Sequence, residues 1–382
     1  MSGWVRHVWG DNGWTGGQYS VWRALLGLGV LGLSIRGLFQ PDLPSSTIVL
    51  SATALVLGLP VIVGWFDGPA SALLATVTGG LVILDPTLPT QLWPLVAALV
   101  LHAVAPPGPF LSRHAKGRTD PDGGWKLPAW IHLGVWLVLL TATVLAVFDE
   151  HSTGTSWTCM TSRAVVVATT VLAATPKLRR WAWLLWVLAW GAEWFGGSPG
   201  WLMAGVLPCW LLAADPAWIP PGRHREPNSP VAPPDDVVPA APADATTWIF
   251  YDGTCGLCHG CVRLILAEDR NPIPVRLAPL QGTAFRERVD ASARAAIPDS
   301  IVVMPPGGEM LVESVAALEF TRLLGGGWRG LSCGLTLVPR PLRDLGYRIV
   351  AAIRHRVFRR PTGACPLLPT HLRDRFDLRS DE

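Results

Sequence analysis

The chain has 382 residues, half of them hydrophobic and only 15% charged, with 20 tryptophans and a formal net charge of +3. That length admits two or three domains. A charge so small, with arginines interspersed among acids, excludes an electrostatic nucleic-acid partner.

Composition changes along the chain: residues 1–218 hold nearly all the tryptophans and long apolar stretches, whereas residues 246–382 are arginine-rich and mixed in charge. Residues 1–18 form a polar N-terminal segment, and no cleavable signal peptide is expected there. Apolar stretches follow at about 19–38, 47–66, 70–84, 91–105, 130–148, 158–175, 180–195 and 200–214. Their number argues against a soluble protein with buried helices. The expectation over 19–214 is an all-α polytopic membrane bundle of about eight helices in contact with a lipid bilayer. Several stretches fall short of the ~20 residues a crossing helix wants, so tilted or re-entrant pieces are expected among them.

Positive charge gathers at Arg6, at Arg113, Lys116, Arg118 and Lys126, at Lys177, Arg179 and Arg180, and at Arg223 and Arg225. With an even span count these all lie on one side, and the other side holds little beyond Arg36 and Arg163. The excess of positive residues marks the cytoplasmic side. Both termini are therefore expected in the cytoplasm, with the chain multi-pass in a bacterial-type cell membrane. Ionisable residues inside spans are functional suspects by default. Arg23, His102, His132 and Glu193 qualify, but all can sit near an interface, which favours structural roles. Trp183, Trp186, Trp190 and Trp194 recur at helical spacing and read as helix packing or an interfacial belt. Cys159 and Cys209 lie at different depths, so no disulfide between them is expected.

Residues 215–247 are dense in proline with almost no apolar side chains, and read as an extended, semi-rigid linker. The apolar run Trp248-Ile249-Phe250-Tyr251 then reads as a strand, the turn Asp252-Gly253-Thr254 follows, and Cys255 opens a helix to about Glu268. Unpaired N–H groups at a helix start favour an anion, so a thiolate at Cys255 is favoured there. Cys258, one turn later, can close a disulfide on it. This is the layout of a dithiol redox site. Downstream, Pro274–Leu280 reads as a second strand and residues 282–296 as a polar helix. Ser300–Met304 reads as a buried strand, Glu309–Val312 as its antiparallel partner, and Ser314–Leu324 as a helix capped by Ser314 and stopped at Gly325.

The Asp252-Gly253-x-Cys255-x-Leu257-Cys258 run resembles the DCC thiol-disulfide oxidoreductase family. The resemblance continues through Pro298–Val303, through Tyr347–Phe358, and through Cys365 and Arg375-Phe376, covering roughly residues 246–378. It implies an α/β thioredoxin-like domain over 248–382 with a C-terminal helical extension, matching the β-α-β-α-β-β-α order read above. It also implies generic thiol-disulfide exchange and says little about substrates; a protein or small-molecule disulfide or dithiol is the expected partner, and no cofactor or metal is expected. By this resemblance Cys255 is the nucleophile and the more exposed thiol, and Cys258 the resolving thiol. Thr254 stands where thioredoxins carry Trp. Pro298 is the best-placed candidate for a cis-proline facing the dithiol, against an ordinary trans proline ending the preceding helix.

Two readings stand for Asp252: a cap satisfying backbone donors, or a base taking the proton of Cys258. Cys261 and Cys365 are further thiols. Cys255, Cys258, Cys261 and Cys365 together form the alternative of a zinc or iron–sulfur site. A third reading is a membrane transporter with a redox-sensing domain. The N-terminal half is similar to the DoxX-like and HTTM-type regions found fused to DCC domains. That similarity rests on Gly16–Arg23, Arg118–Trp125 and Asp215–Pro220, and implies a redox-associated or anchoring role.

Overall fold

The computed structural model describes residues 12–40, 44–85, 88, 92–148, 168–169, 172–173, 176–186, 201–221, 246–270, 275–307, 310–358 and 370–379. The chain divides into two compact units, Met1–Lys116 with Gly124–Trp218, and Gly117–Gly123 with Ile219–Glu382. Most of the expected linker, the expected spans at 158–175 and 180–195 for the greater part, and Cys159, Glu193, Trp190, Trp194 and Cys365 lie outside the described residues.

The first unit is helical. Helices α1 (Gly16–Phe39), α2 (Ser45–Val63), α3 (Asp67–Leu84), α4 (Trp93–Ala103), α5 (Ala129–Phe148) and α6 (Trp201–Ala213) follow one another. Consecutive members of α1–α4 pack together, and α6 packs on α4 and α5. Helices α1, α2 and α3, of 24, 19 and 18 residues, are long and apolar enough to cross a membrane. Their outer faces carry Leu25, Val49, Val56, Leu59 and Leu73 in the open, whereas the inner faces mix large apolar side chains such as Trp22, Leu26 and Leu74 with small and polar ones.

Three buried polar contacts tie the helices of this unit together, since a polar group in an apolar setting is costly unless it is paired. Arg23 of α1 meets Asp67, in the first turn of α3, at 3.3 Å. The α2–α3 turn makes room for it: Gly64 has φ +71°, and a Cβ there would strike the Arg23 guanidinium. Tyr19 Oη and His102 Nδ1 lie 2.8 Å apart, and His132 Nε2–H donates to Ala213 O at 3.1 Å. Trp183 stacks on Trp210 at 4.2 Å and Trp186 on Trp136 at 5.2 Å. The described half of the tryptophan stripe is therefore helix packing.

The second unit is a small mixed sheet with helices. Strand β1 (Trp248–Tyr251) leads to α7 (Gly256–Glu268), then β2 (Arg276–Pro279), α8 (Thr283–Arg288) and α9 (Ala291–Ala296). Strands β3 (Val302–Met304) and β4 (Leu311–Val312) precede α10 (Glu313–Leu324), α11 (Gly326–Thr336), α12 (Arg340–Val357) and α13 (Thr370–Arg373). The sheet order is β2-β1-β3-β4, with β1–β2 parallel and the other two pairs antiparallel.

Strand alternation divides the core. Ile249 and Tyr251 face α7 and α10, packing on Cys258, Val262, Ile265, Ala316 and Phe320. Phe250 faces the opposite side, where Ala284, Phe285 and Val289 close over it. A strand covered on both faces must be apolar at successive positions, which explains the uninterrupted Trp-Ile-Phe-Tyr run.

Two local expectations change. The polar helix expected over 282–296 is two short helices, because Val289 turns inward in an extended conformation and ends the first. Ser314 is not the cap of α10. Glu313 begins that helix at φ +53°, its N–H donating to Ser300 Oγ at 2.6 Å, while the Ser314 hydroxyl donates to Asp344 of α12 at 2.5 Å. Gly325, at φ +76°, ends the helix as expected.

The C-terminal tail is tied back beside β2. Leu277 N–H donates to Arg375 O, Asp377 N–H donates to Leu277 O, and Arg375 pairs with buried Asp269 at 2.5 Å. Removing one partner of a buried pair strands the other charge. Asp269→Ala should therefore cost about 3 kcal/mol in urea unfolding and expose the tail to limited proteolysis. The paired change Asp269→Leu with Arg375→Met should recover most of that loss.

Candidate active site: a dithiol beside a buried guanidinium

The parallel strands β1 and β2 end together, with Tyr251 opposite Pro279. The turn after β1 therefore lies against Gln281, just past β2. Asp252 Oδ1 accepts from Thr254 N–H at 2.9 Å and Thr254 Oγ1–H at 2.8 Å, and from Gln281 Nε2–H at 3.4 Å. This is a side chain closing its own turn. His259 fastens the turn from below, its Nε2–H donating to Gly253 O at 3.0 Å.

Cys255 is the N-cap of α7 in an extended conformation, so its sulfur lies where unpaired helix N–H groups favour an anion. The Cys258 thiol follows one turn on, in the same buried cluster as Cys255. Burial, then the neighbouring Cys255, push the Cys258 thiol up to about 12, while Arg354 pulls it the other way. Cys255 is not the more exposed of the two: it is 0% exposed and Cys258 6%. Both sulfurs belong to the core under β1, packed with Ile249 and Tyr251, and only Thr254 of the turn is open to solvent.

Antiparallel pairing sets the start of β3 beside the end of β1, with Val302 opposite Phe250. Residues 298–300 are thereby delivered to the dithiol end of the sheet. They do not deliver a cis-proline: the Ile297–Pro298 bond is trans and Pro298 is exposed. Pro298 follows α9 directly, and the trans isomer ends that helix at lower cost than cis. The residue that reaches the site is Asp299, paired with Arg354.

Arg354 has no counterpart among the residues picked from the sequence. It projects from the inner face of α12, its side chain only 4% exposed, 3.5 Å from Asp252 Oδ2 as well as in contact with Asp299. Burial alone would favour the neutral form, but Cys258, Asp299, Cys255 and Asp252 together hold the guanidinium above its ordinary value. Tyr347, two turns earlier on the same face, accepts from Ile301 N–H at 3.0 Å. Burial raises its hydroxyl despite hydrogen bonds with Ser300 and Ile301. Helix α12 thus lays one cation and one phenol against the dithiol.

Cys261 is half-buried on α7, its thiol raised by burial and by Cys255. Among the described residues no group of three or more His, Cys, Asp or Glu converges as a metal-holding set. The fourth sulfur of the alternative cluster, Cys365, lies outside them.

The sequence profile of the DCC1-like thiol-disulfide oxidoreductases matches residues 249–360. The chain is 28% identical over 128 residues to the uncharacterized protein YuxK of Bacillus subtilis, a match spanning 34% of this chain and 91% of that protein. It is 30% identical over 119 residues to a chloroplastic DCC family protein of Arabidopsis thaliana, across 31% of this chain and 68% of the relative. No solved structure matches. The profile spans the dithiol turn, the sheet and the helix bearing Arg354, and through this C-terminal domain the chain belongs to the DCC family.

Proposed function

We propose that the protein is a membrane-anchored thiol-disulfide oxidoreductase whose chemistry runs through Cys255 and Cys258. The observation that carries this reading is the pair of free thiols packed together at the first turn of α7, beside the buried guanidinium of Arg354. A thioredoxin-like fold is part of the proposal. Its support is the sheet order β2-β1-β3-β4 with α7 and α10 on one face and α8 on the other.

In the reductive direction the Cys255 thiolate attacks one sulfur of a substrate disulfide. The substrate bond breaks, its second sulfur leaves and takes a proton, and a mixed disulfide forms on Cys255. Cys258 then loses its proton and attacks Cys255 Sγ, releasing the second substrate thiol and leaving an intramolecular disulfide. Two electrons pass to the substrate, and an external dithiol returns them; the reverse sequence oxidises a dithiol. A reducing cytoplasm favours the reductive direction. With its thiol pushed up to about 12, Cys258 stays protonated until the mixed disulfide has formed, which suits a resolving residue. Arg354 lowers the cost of the second thiolate, and Asp252 and Asp299 hold Arg354 in place. Thr254, at the open edge of the turn, meets the substrate first, and the turn must loosen before Cys255 can react.

Anchoring is supported by α1–α3, each close to the ~20 residues that cross ~30 Å of hydrocarbon. The distribution of basic residues supports a cytoplasmic redox domain, and the likeness of this half to DoxX-like and HTTM-type regions fits an anchoring role.

Trapping is the direct test. In the full-length protein Cys258→Ala should accumulate mixed disulfides through Cys255, visible on non-reducing gels, and Cys255→Ser should abolish them. Adducts carried by Cys261 or Cys365 would reject the assignment.

The Arg354 role is read from a pH profile. Arg354 lowers the Cys258 thiol, so Arg354→Met should shift Cys258 alkylation, measured in the Cys255→Ser background, to higher pH. A shift of about one unit would slow resolution roughly tenfold at neutral pH, and Arg354→Lys should restore part of it.

A further inference from the structure

Helix α12 is turned inside out. An amphipathic helix on a soluble domain normally sends its apolar stripe to the core and its charges to water. Here the inward side carries Asp344, Tyr347 and Arg354. Leu342, Leu345, Ile349 and Ile353, at spacings of three and four, face outward at 60, 55, 55 and 44% exposure. Helix α11 repeats the inversion: Ser332 is buried against Leu318 O, and Leu331 and Leu335 are open. The turn between them adds Leu337, 86% exposed. Two consecutive helices and their connection thus each leave large apolar side chains open, a concentration beyond the scattered single exposures normal for a soluble domain.

Charge distinguishes the occupants. Between Gly326 and Arg360 the sequence has eight arginines, no lysine and one acid, Asp344. A second copy would bring the same positive excess and be repelled. An anionic lipid surface complements it, with leucines and isoleucines entering the acyl boundary and arginines such as Arg356 reaching headgroup phosphates. Among the described residues three helices are long and apolar enough to cross a membrane, and such an anchor would hold this domain near a bilayer.

We propose that α11 and α12 form an in-plane docking face by which the redox domain rests on an anionic bilayer surface. The proposal goes beyond the redox reading and rests on the membrane-spanning part of it. The full-length protein would be reconstituted in nanodiscs of phosphatidylcholine, alone or mixed with phosphatidylglycerol, with a fluorescent amino acid in place of Ile349. Lipids bearing a nitroxide high on the acyl chain should quench that probe, more strongly with phosphatidylglycerol present. The same probe in place of exposed Glu287 should stay bright. Leu342→Glu with Leu345→Glu, both at exposed positions, should abolish the quenching and leave mixed-disulfide trapping intact.

A probe quenched by aqueous iodide but not by nitroxide lipid would overturn the proposal by leaving the face in water. A probe shielded from both would overturn it in favour of a protein partner or the chain's own spans. Failure of the chain to enter the discs would overturn the spanning reading and this proposal together, whereas entry with an unquenched probe would overturn this proposal alone.

Discussion

A guanidinium taken out of water is costly unless charge and hydrogen bonds surround it, and the C-terminal domain is built around meeting that cost at Arg354. One carboxylate comes from the turn after β1 and the other from the segment before β3. The two thiols come from the first turns of α7. None of these is near Arg354 in sequence, and only the sheet order places them together: β1 ends where β3 begins. The cation therefore joins three elements that would otherwise meet only through apolar contacts. It also sets the electrostatics of the Cys258 sulfur, because an opposite charge this close favours a thiolate where burial opposes one.

The turn between β1 and α7 shows how local chemistry and tertiary geometry divide the work. Asp252, Gly253 and Thr254 form a self-capped turn whose hydrogen bonds are mostly internal. Gln281 and His259 then clamp it from β2's end and from α7. The result holds Cys255 at the helix terminus yet seals it under the turn.

This division explains what could be read in advance. Strand β1, the Cys-bearing helix and the order of strands were legible, because an apolar run, turn residues and helical spacing are local signals. The seam inside 282–296 was not, since Val289 leaves the helix only to fill a space behind Phe250 and Ala284. The isomer of Pro298 had no local determinant. Arg354 was hidden by a sound general rule: one arginine among five on a helix whose apolar stripe would ordinarily point inward reads as a solvated charge. Only with the helix reversed does it become the residue facing the dithiol. The burial of Cys255 was likewise out of reach, because exposure depends on how firmly Gln281 and His259 hold the turn down.

An α-helix of 18 residues is a stiff rod about 27 Å long. A rod cannot roll on one side while its other side stays still. The stripe of α12 that looks outward and the cation that looks inward are fixed to the same rod, with Ile353 and Arg354 adjacent along it. Whatever seats the outer stripe therefore bears on the same rod that holds the cation beside the two sulfur atoms.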